Sequence, residues 1–237
     1  MKRIAVISLL AATALLGSCR FVTIKDSESS SSKGVSASET TRKADEEKIV
    51  NRYDVGEFDS VVCSGAFDIN YNSGSCEVKV EATERDMEGL KVYVEDRTLH
   101  MEFTKKNLLG KKSDIDVYMR SDTLNSLEIN GAAEFDSHGG IKAGKQFNLT
   151  VNGASDIEID SLEAEFIRIN TNGAADAKIA GINASELNIQ VNGAADIRLA
   201  GKTVSTQIEI NGAGDIDTSH LQSESFSKRV NGQLSDS

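Results

Sequence analysis

A five-residue phrase returns at near-constant spacing and dictates what this chain can fold into. It reads N-G-A-A-E at 130–134, N-G-A-S-D at 152–156, N-G-A-A-D at 172–176 and again at 192–196, and N-G-A-G-D at 211–215. A degenerate copy, N-G-Q-L-S, stands at 231–235. The leading residues are Asn130, Asn152, Asn172, Asn192, Asn211 and Asn231, so the steps are 22, 20, 20, 19 and 20 residues. A period this regular over half the chain marks a solenoid in which every coil repeats the same turn.

The residues around each phrase alternate with period two. Leu127/Ile129, Leu149/Val151, Ile169/Thr171, Ile189/Val191 and Ile208/Ile210 precede it; Phe135, Ile157/Ile159, Ala177/Ile179, Ile197/Leu199 and Ile216 follow it. Such alternation belongs to strands with one buried and one wet face. The phrase is too short for a crossover helix and too long for a two-residue hairpin turn, so it predicts a sharp corner built on glycine. A third apolar stretch follows at Ile141/Ala143, Leu162/Ala164, Ile182/Ala184 and around Val204. The expected fold is all-β: a right-handed parallel β-helix of coils about 20 residues long, stacked about 4.8 Å apart into a rod of about 25–30 Å. An α-solenoid of this period is excluded by glycine in every repeat and by the lack of sustained three-and-four spacing.

The first residues predict a cellular address. Met1, Lys2 and Arg3 precede an apolar stretch from Ile4 to Leu16, which has the form of a secretory signal over 1–18 and is too short to span a membrane. It ends in L-G-S-C at 16–19, which resembles the lipobox of bacterial lipoproteins, with Cys19 as the lipidated first residue. Several acyl chains on one cysteine give stable anchoring. Arg20 and Phe21 follow, without the aspartate that retains some lipoproteins at the inner membrane, so an outer-membrane lipoprotein is expected. Residues 19–50, Ser-rich and charged, read as a flexible tether that cannot bury enough surface to order itself.

Residues 51–126 alternate like strands without carrying the phrase, and predict an antiparallel or mixed β-element capping regular coils over 127–237. Two hairpins are expected in it, around N-S-G-S at 72–75 and around Asp96-Arg97. Within it, C-S-G-A-F-D at 63–68 is a divergent copy of the corner. The segment G-E-F-D-S-V-V-C-S-G-A-F-D-I at 56–69, followed by the tandem (N/S)-G-(A/S)-(A/G)-D corners, resembles the head GIN domain family of secreted bacterial proteins, described as auto-transporter adhesins. The resemblance covers about 51–237. It implies a β-helical fold, a cell-envelope location and adhesion, and it brings no catalytic residues. This chain carries Asn where many members carry Ser before the corner glycine.

Stacked corners place like residues above one another. The six asparagines form an expected structural ladder, each side-chain amide donating to the next. The acids Glu134, Asp156, Asp176, Asp196 and Asp215 form a second column. Like charges at that spacing repel by roughly 1 kcal/mol per neighbour even in water. Two readings of the column stand open: Asp156, Asp176, Asp196 and Asp215 accept backbone N–H groups of their own bends, or they hold a hard cation such as Ca²⁺. Known Ca²⁺-binding β-helix repeats are nonapeptides richer in Asp and Gly.

Other chemistry is sparse. The outward positions Glu158, Lys178, Arg198 and Asp217 have mixed sign, as a solvated face has. Phe135, Phe147, Phe166 and Phe226 fall on core-like phases, while Tyr93 and Tyr118 fall on polar faces and mark the candidate binding patch. Cys63 and Cys76 remain either as a disulfide or as thiols, with Cys63 facing inward. His100, His138 and His220 are isolated, and no phosphate loop, nucleophile elbow or CxxC is present. A net charge of −11 excludes nucleic acid as a natural partner. The expected function is a lipid-anchored, non-catalytic binding or adhesion module without an organic cofactor, whose partner is an envelope protein, a glycan or a second copy. The alternatives are a structural envelope spacer and, third, a polysaccharide-active enzyme.

Overall fold

The computed structural model describes residues 21–23, 47–104 and 114–231. The signal segment, Cys19, most of the tether and the last corner residues beyond Asn231 lie outside the described residues. The described chain is nearly all β. Its strands are β1 (Phe21–Thr23), β2 (Lys48–Tyr53), β3 (Ser60–Ser73), β4 (Glu77–Thr83), β5 (Leu90–Glu95), β6 (Thr98–Phe103), β7 (Asp116–Ser121), β8 (Ser126–Ser137), β9 (Ile141–Lys142), β10 (Gln146–Ile159), β11 (Leu162–Glu163) and β12 (Phe166–Val230). One four-residue helix, α1 (Glu84–Met87), interrupts them, capped by the Thr83 hydroxyl on the Asp86 N–H.

These strands form one mixed sheet that does not close on itself, in the order β1-β2-β4-β7-β3-β8-β10-β12-β11-β9, with β6 also paired to β3 and β5 to β6. From β3 onward the corners stack in parallel and in register. Gly65 lies on Gly131 and Asp68 on Glu134; Asn130 lies on Asn152, and Asp156 on Asp176. The ribbon β12 carries the remaining corners through 65 residues. Burial follows the predicted alternation. Leu127, Leu149 and Ile169 form one buried column and Phe135, Ile157 and Ala177 another, each residue in register with the next. The third stretch pairs as Ile141 on Leu162 on Ile182, all buried.

The corner glycines explain how tight this stacking is. Gly131, Gly153, Gly173, Gly193 and Gly212 have φ between +136° and +155°, which side chains resist, and a Cβ on any of them would strike the carbonyl oxygen of the glycine stacked at the corner before it.

Two details depart from the sequence reading. Strands β3 and β4 do not form the expected hairpin across N-S-G-S, because β7 lies between them, parallel to β3 and antiparallel to β4. Alternation says which residues face the core; it does not say which strand lies alongside, and Val117 and Met119 of β7 fill that place against Ile69 and Tyr71. The second hairpin does form, with Asp96 and Arg97 at φ 47° and 60° in a two-residue turn between β5 and β6. The other departure is at Val204, which is half-exposed while Thr203 is buried in its stead, bonded to Thr206 at 2.7 Å. The repeat from Asn192 to Asn211 is one residue shorter than its neighbours, and a one-residue slip turns every following side chain over.

At the far end Lys228 takes the place that Ile208 holds one repeat earlier, counting back from the bonded pair Asn231 and Asn211. Its ammonium donates to the Ile216 carbonyl at 3.2 Å, while Phe226 and Val230 beside it stay half-exposed.

Candidate functional site

The stacked corners present one continuous surface, and its chemistry repeats from corner to corner. Along its crest run the asparagines. Asn152 donates to Asn130 at 2.9 Å, Asn172 to Asn152 at 3.0 Å, Asn192 to Asn172 at 3.0 Å, Asn211 to Asn192 at 2.9 Å and Asn231 to Asn211 at 3.0 Å. Each interior amide gives one Nδ2–H and accepts one, and Asn130 ends the chain of bonds on Glu128 at 2.8 Å. Replacing Asn192 with alanine removes two rungs and is expected to cost about 1–3 kcal/mol in urea unfolding, with the denaturant slope unchanged.

Beside the crest lies a groove of about 690 Å³ that follows the corners from Phe67 and Ile115 to Ala213 and Asp215. Small residues make it: Ala133, Ser155, Ala175 and Ala195 are buried beneath it, where any larger side chain would fill it. Its wall is the acid column, which is longer than the sequence reading had it. Strand registers continue Glu134 to Asp68 and then to Asp116 on β7. Asp156, Asp176, Asp196 and Asp215 are exposed. Among the described residues none of these four accepts a hydrogen bond from its own bend or forms an ion pair. Nor do they converge. Among the described residues the one group of three ligand-bearing side chains within 4.8 Å of one another is Asp68, Asp114 and Asp116, and there Lys48 supplies the cation, at 2.8 Å from Asp114 and 2.6 Å from Asp116. Those two carboxylates hold the Lys48 ammonium well above the usual lysine range, against the opposing effect of its partial burial.

With the four aspartates open and in line, salt screening is the expected stabiliser. Ca²⁺ and NaCl at equal ionic strength should raise the melting temperature equally. A saturable rise with Ca²⁺ alone would instead report a bound ion.

The next outward column holds Asp136, Glu158, Lys178 and Arg198, where Lys178 bonds Glu158 at 2.5 Å and holds its carboxyl below the usual range. Among the described residues the groove is lined by no histidine, cysteine, lysine or arginine, and by one hydroxyl, Ser155, whose Oγ is buried.

The two tyrosines occupy separate places. Tyr93 stacks on His100 at 4.9 Å and donates to Glu102 at 2.8 Å, on the hairpin beside the first arm of β3. Tyr118 lies beside the second arm, next to Asn70, with the Lys79 ammonium 4.0 Å from its ring centre. Around Tyr118 a polar cleft of about 240 Å³ gathers Arg52, Asn70, Asn72, Glu77, Lys79 and Arg120. Sequence inspection misses it because four strands distant along the chain contribute. Phe135 and Phe147 are buried as expected, whereas Phe166 is half-buried on the outer face under Lys145 and Phe226 is exposed. Cys63 and Cys76 are free thiols, not a disulfide. Cys63 points into the core between Met101 and Ile129, where burial pushes its thiol far up, and Cys76 sits at the β4 turn with its sulfur 3.9 Å from the Phe58 carbonyl.

The family profile described as "Putative auto-transporter adhesin, head GIN domain" matches residues 57–234. The chain belongs to this family. Among solved structures the head GIN chain is similar to a putative adhesin of Parabacteroides distasonis, with 20% identity, coverage of 79% of this chain and 80% of that one, and a TM-score of 0.70. It is also similar to a putative adhesin of Parabacteroides merdae, at 18% identity, 80% coverage of each chain and a TM-score of 0.59. A structure described as a putative lipid binding protein of Parabacteroides distasonis shares 16% identity over 79% of this chain and 81% of that one, with a TM-score of 0.59. At these identities the likeness is one of fold. No curated protein matches the sequence.

Proposed function

We propose that this head GIN protein is a lipid-anchored protein of the bacterial outer membrane, whose corners wind as a right-handed parallel β-helix and whose outer surface serves as a non-catalytic binding and adhesion module. The observation that carries this reading is the groove: one trough crossing the stacked corners from Phe67 to Asp215, with a small-residue floor from Ala133 to Gly214 and a carboxylate at each step of its wall. A surface of that kind suits a long partner held at many weak points, and many weak points multiply into firm attachment. Acid–base catalysis needs the opposite, a few groups converging on one reacting atom. The winding is supported by the in-register corners and the amide ladder, and the anchor by L-G-S-C at 16–19.

Cells producing the chain, cells lacking it and cells carrying Cys19→Ala test this reading together. Attachment to a neighbouring surface should fall on deletion. Cys19→Ala should release the protein from the membrane fraction and lower attachment to the same extent. Unchanged attachment in the deletion strain would refute the adhesion reading, and a Cys19→Ala protein still in the membrane fraction would refute the anchor.

A further inference from the structure

The cleft at Tyr118 is a different surface from the groove, with the opposite charge. Its row is set by four strands in register: Arg52 on β2 stands beside Lys79 on β4, Lys79 beside Tyr118 on β7, and Tyr118 beside Asn70 on β3. One step along, Glu77, Arg120 and Asn72 form a second row. Three cations thus face one carboxylate, Glu77, in a chain whose net charge is −11.

The pairing inside the cleft leaves particular groups open. Arg120 stands opposite Glu77, yet the Glu77 carboxylate is taken by Arg52 at 2.8 Å, and Lys79 is held by Glu81 at 2.8 Å. Among the described residues the Arg120 guanidinium, the Tyr118 hydroxyl and the Asn70 and Asn72 amides have no hydrogen-bond or ion-pair partner. Arg120 is also seated. Gly74 leaves the space its guanidinium occupies, and a methyl group there would come within 3.1 Å of Nε and 3.2 Å of Cζ.

A guanidinium fork without a carboxylate takes a planar anion in two parallel bonds. Amides and a phenol offer both donors and acceptors, the pattern that matches sugar hydroxyls. At about 240 Å³ the cleft is smaller than the roughly 300–1,000 Å³ pockets of drug-sized ligands, so it takes one unit of a chain. It offers no apolar hole for a peptide anchor. We propose that this cleft binds a carboxylated sugar residue of a glycan, with Arg120 on the carboxylate and Asn70, Asn72 and the Tyr118 hydroxyl on the sugar hydroxyls. This deepens the reading of the chain as a binding module and rests on it.

Calorimetric titration of the full chain with trigalacturonic acid, its methyl ester and inorganic phosphate tests the assignment. The acid should bind about 10- to 100-fold more tightly than the ester, the span of one charge-assisted pair. Arg120→Met should abolish that preference, and the exposed Asn72→Ala should weaken both saccharides, with melting curves showing that each variant is folded. Arg168→Met, on β12 and outside this cleft, should change nothing. Equal affinity for acid and ester, phosphate binding as tight as the acid, or an Arg120→Met protein that still prefers the acid would each overturn the assignment. So would the absence of saccharide binding while the chain still supports attachment, an outcome that leaves the adhesion reading intact.

Discussion

Gly173→Ala should lower the free energy of unfolding by about 3–5 kcal/mol, an effect reserved for changes with a definite steric cause. Two causes act together at this corner. The backbone holds φ at +155°, which alanine resists, and the new Cβ would meet the carbonyl oxygen of Gly153 at the corner before it. That oxygen belongs to backbone fixed by the parallel pairing of β10 with β12, so no side chain can swing aside to make room. The corner must open, and the amide rung between Asn172 and Asn152 opens with it. Gly56→Ala is the comparison. Nothing lies within 4 Å of a Cβ there, and its effect should stay within about 1 kcal/mol of zero. Urea unfolding of both variants reads the difference directly.

Phe135→Ala should cost about 3–5 kcal/mol, the range for deleting a fully buried aromatic side chain. Phe135 sits between Ile69 of β3 and Ile157 of β10, and its ring stacks on Tyr71 at 6.3 Å. Tyr71 in turn bonds the Ser121 carbonyl at 3.1 Å, so one ring joins the N-terminal strands to the first regular corner. The loss should therefore be shared by the whole molecule. Tyrosine fluorescence and far-ultraviolet circular dichroism should report one coincident transition at the lower midpoint. Two separated transitions would mean that the N-terminal strands and the repeats unfold independently.

The corners were legible in the sequence because each carries its full chemistry within five consecutive residues, and the period states what lies above what. The ladder from Asn130 to Asn231 and the column from Glu134 to Asp215 needed no long-range information. Contacts that join distant segments were less legible. Asp68 extends the acid column only because β3 skips the intervening strands to lie directly on β8. The Tyr118 cleft draws on Arg52, Asn70, Lys79 and Arg120, which no local pattern connects. Val204 shows a third kind of difficulty. It is apolar and at the expected distance along its repeat, but a repeat one residue short gave its buried place to Thr203. The two tyrosines share a polar strand face in the sequence pattern, yet Tyr93 lies on the hairpin beside Ser60–Ser64 of β3 and Tyr118 on β7 beside Asp68–Ser73, so only Tyr118 lines the cleft.

Competition by the purified chain is the most direct test of a binding module. Added to cells that already attach through their own copies, the soluble chain should occupy the same partner and reduce attachment progressively, to a plateau set by the deletion strain. A spacer with no partner predicts no competition at any concentration. Attachment that depends on the chain and yet ignores the soluble copy would contradict the account.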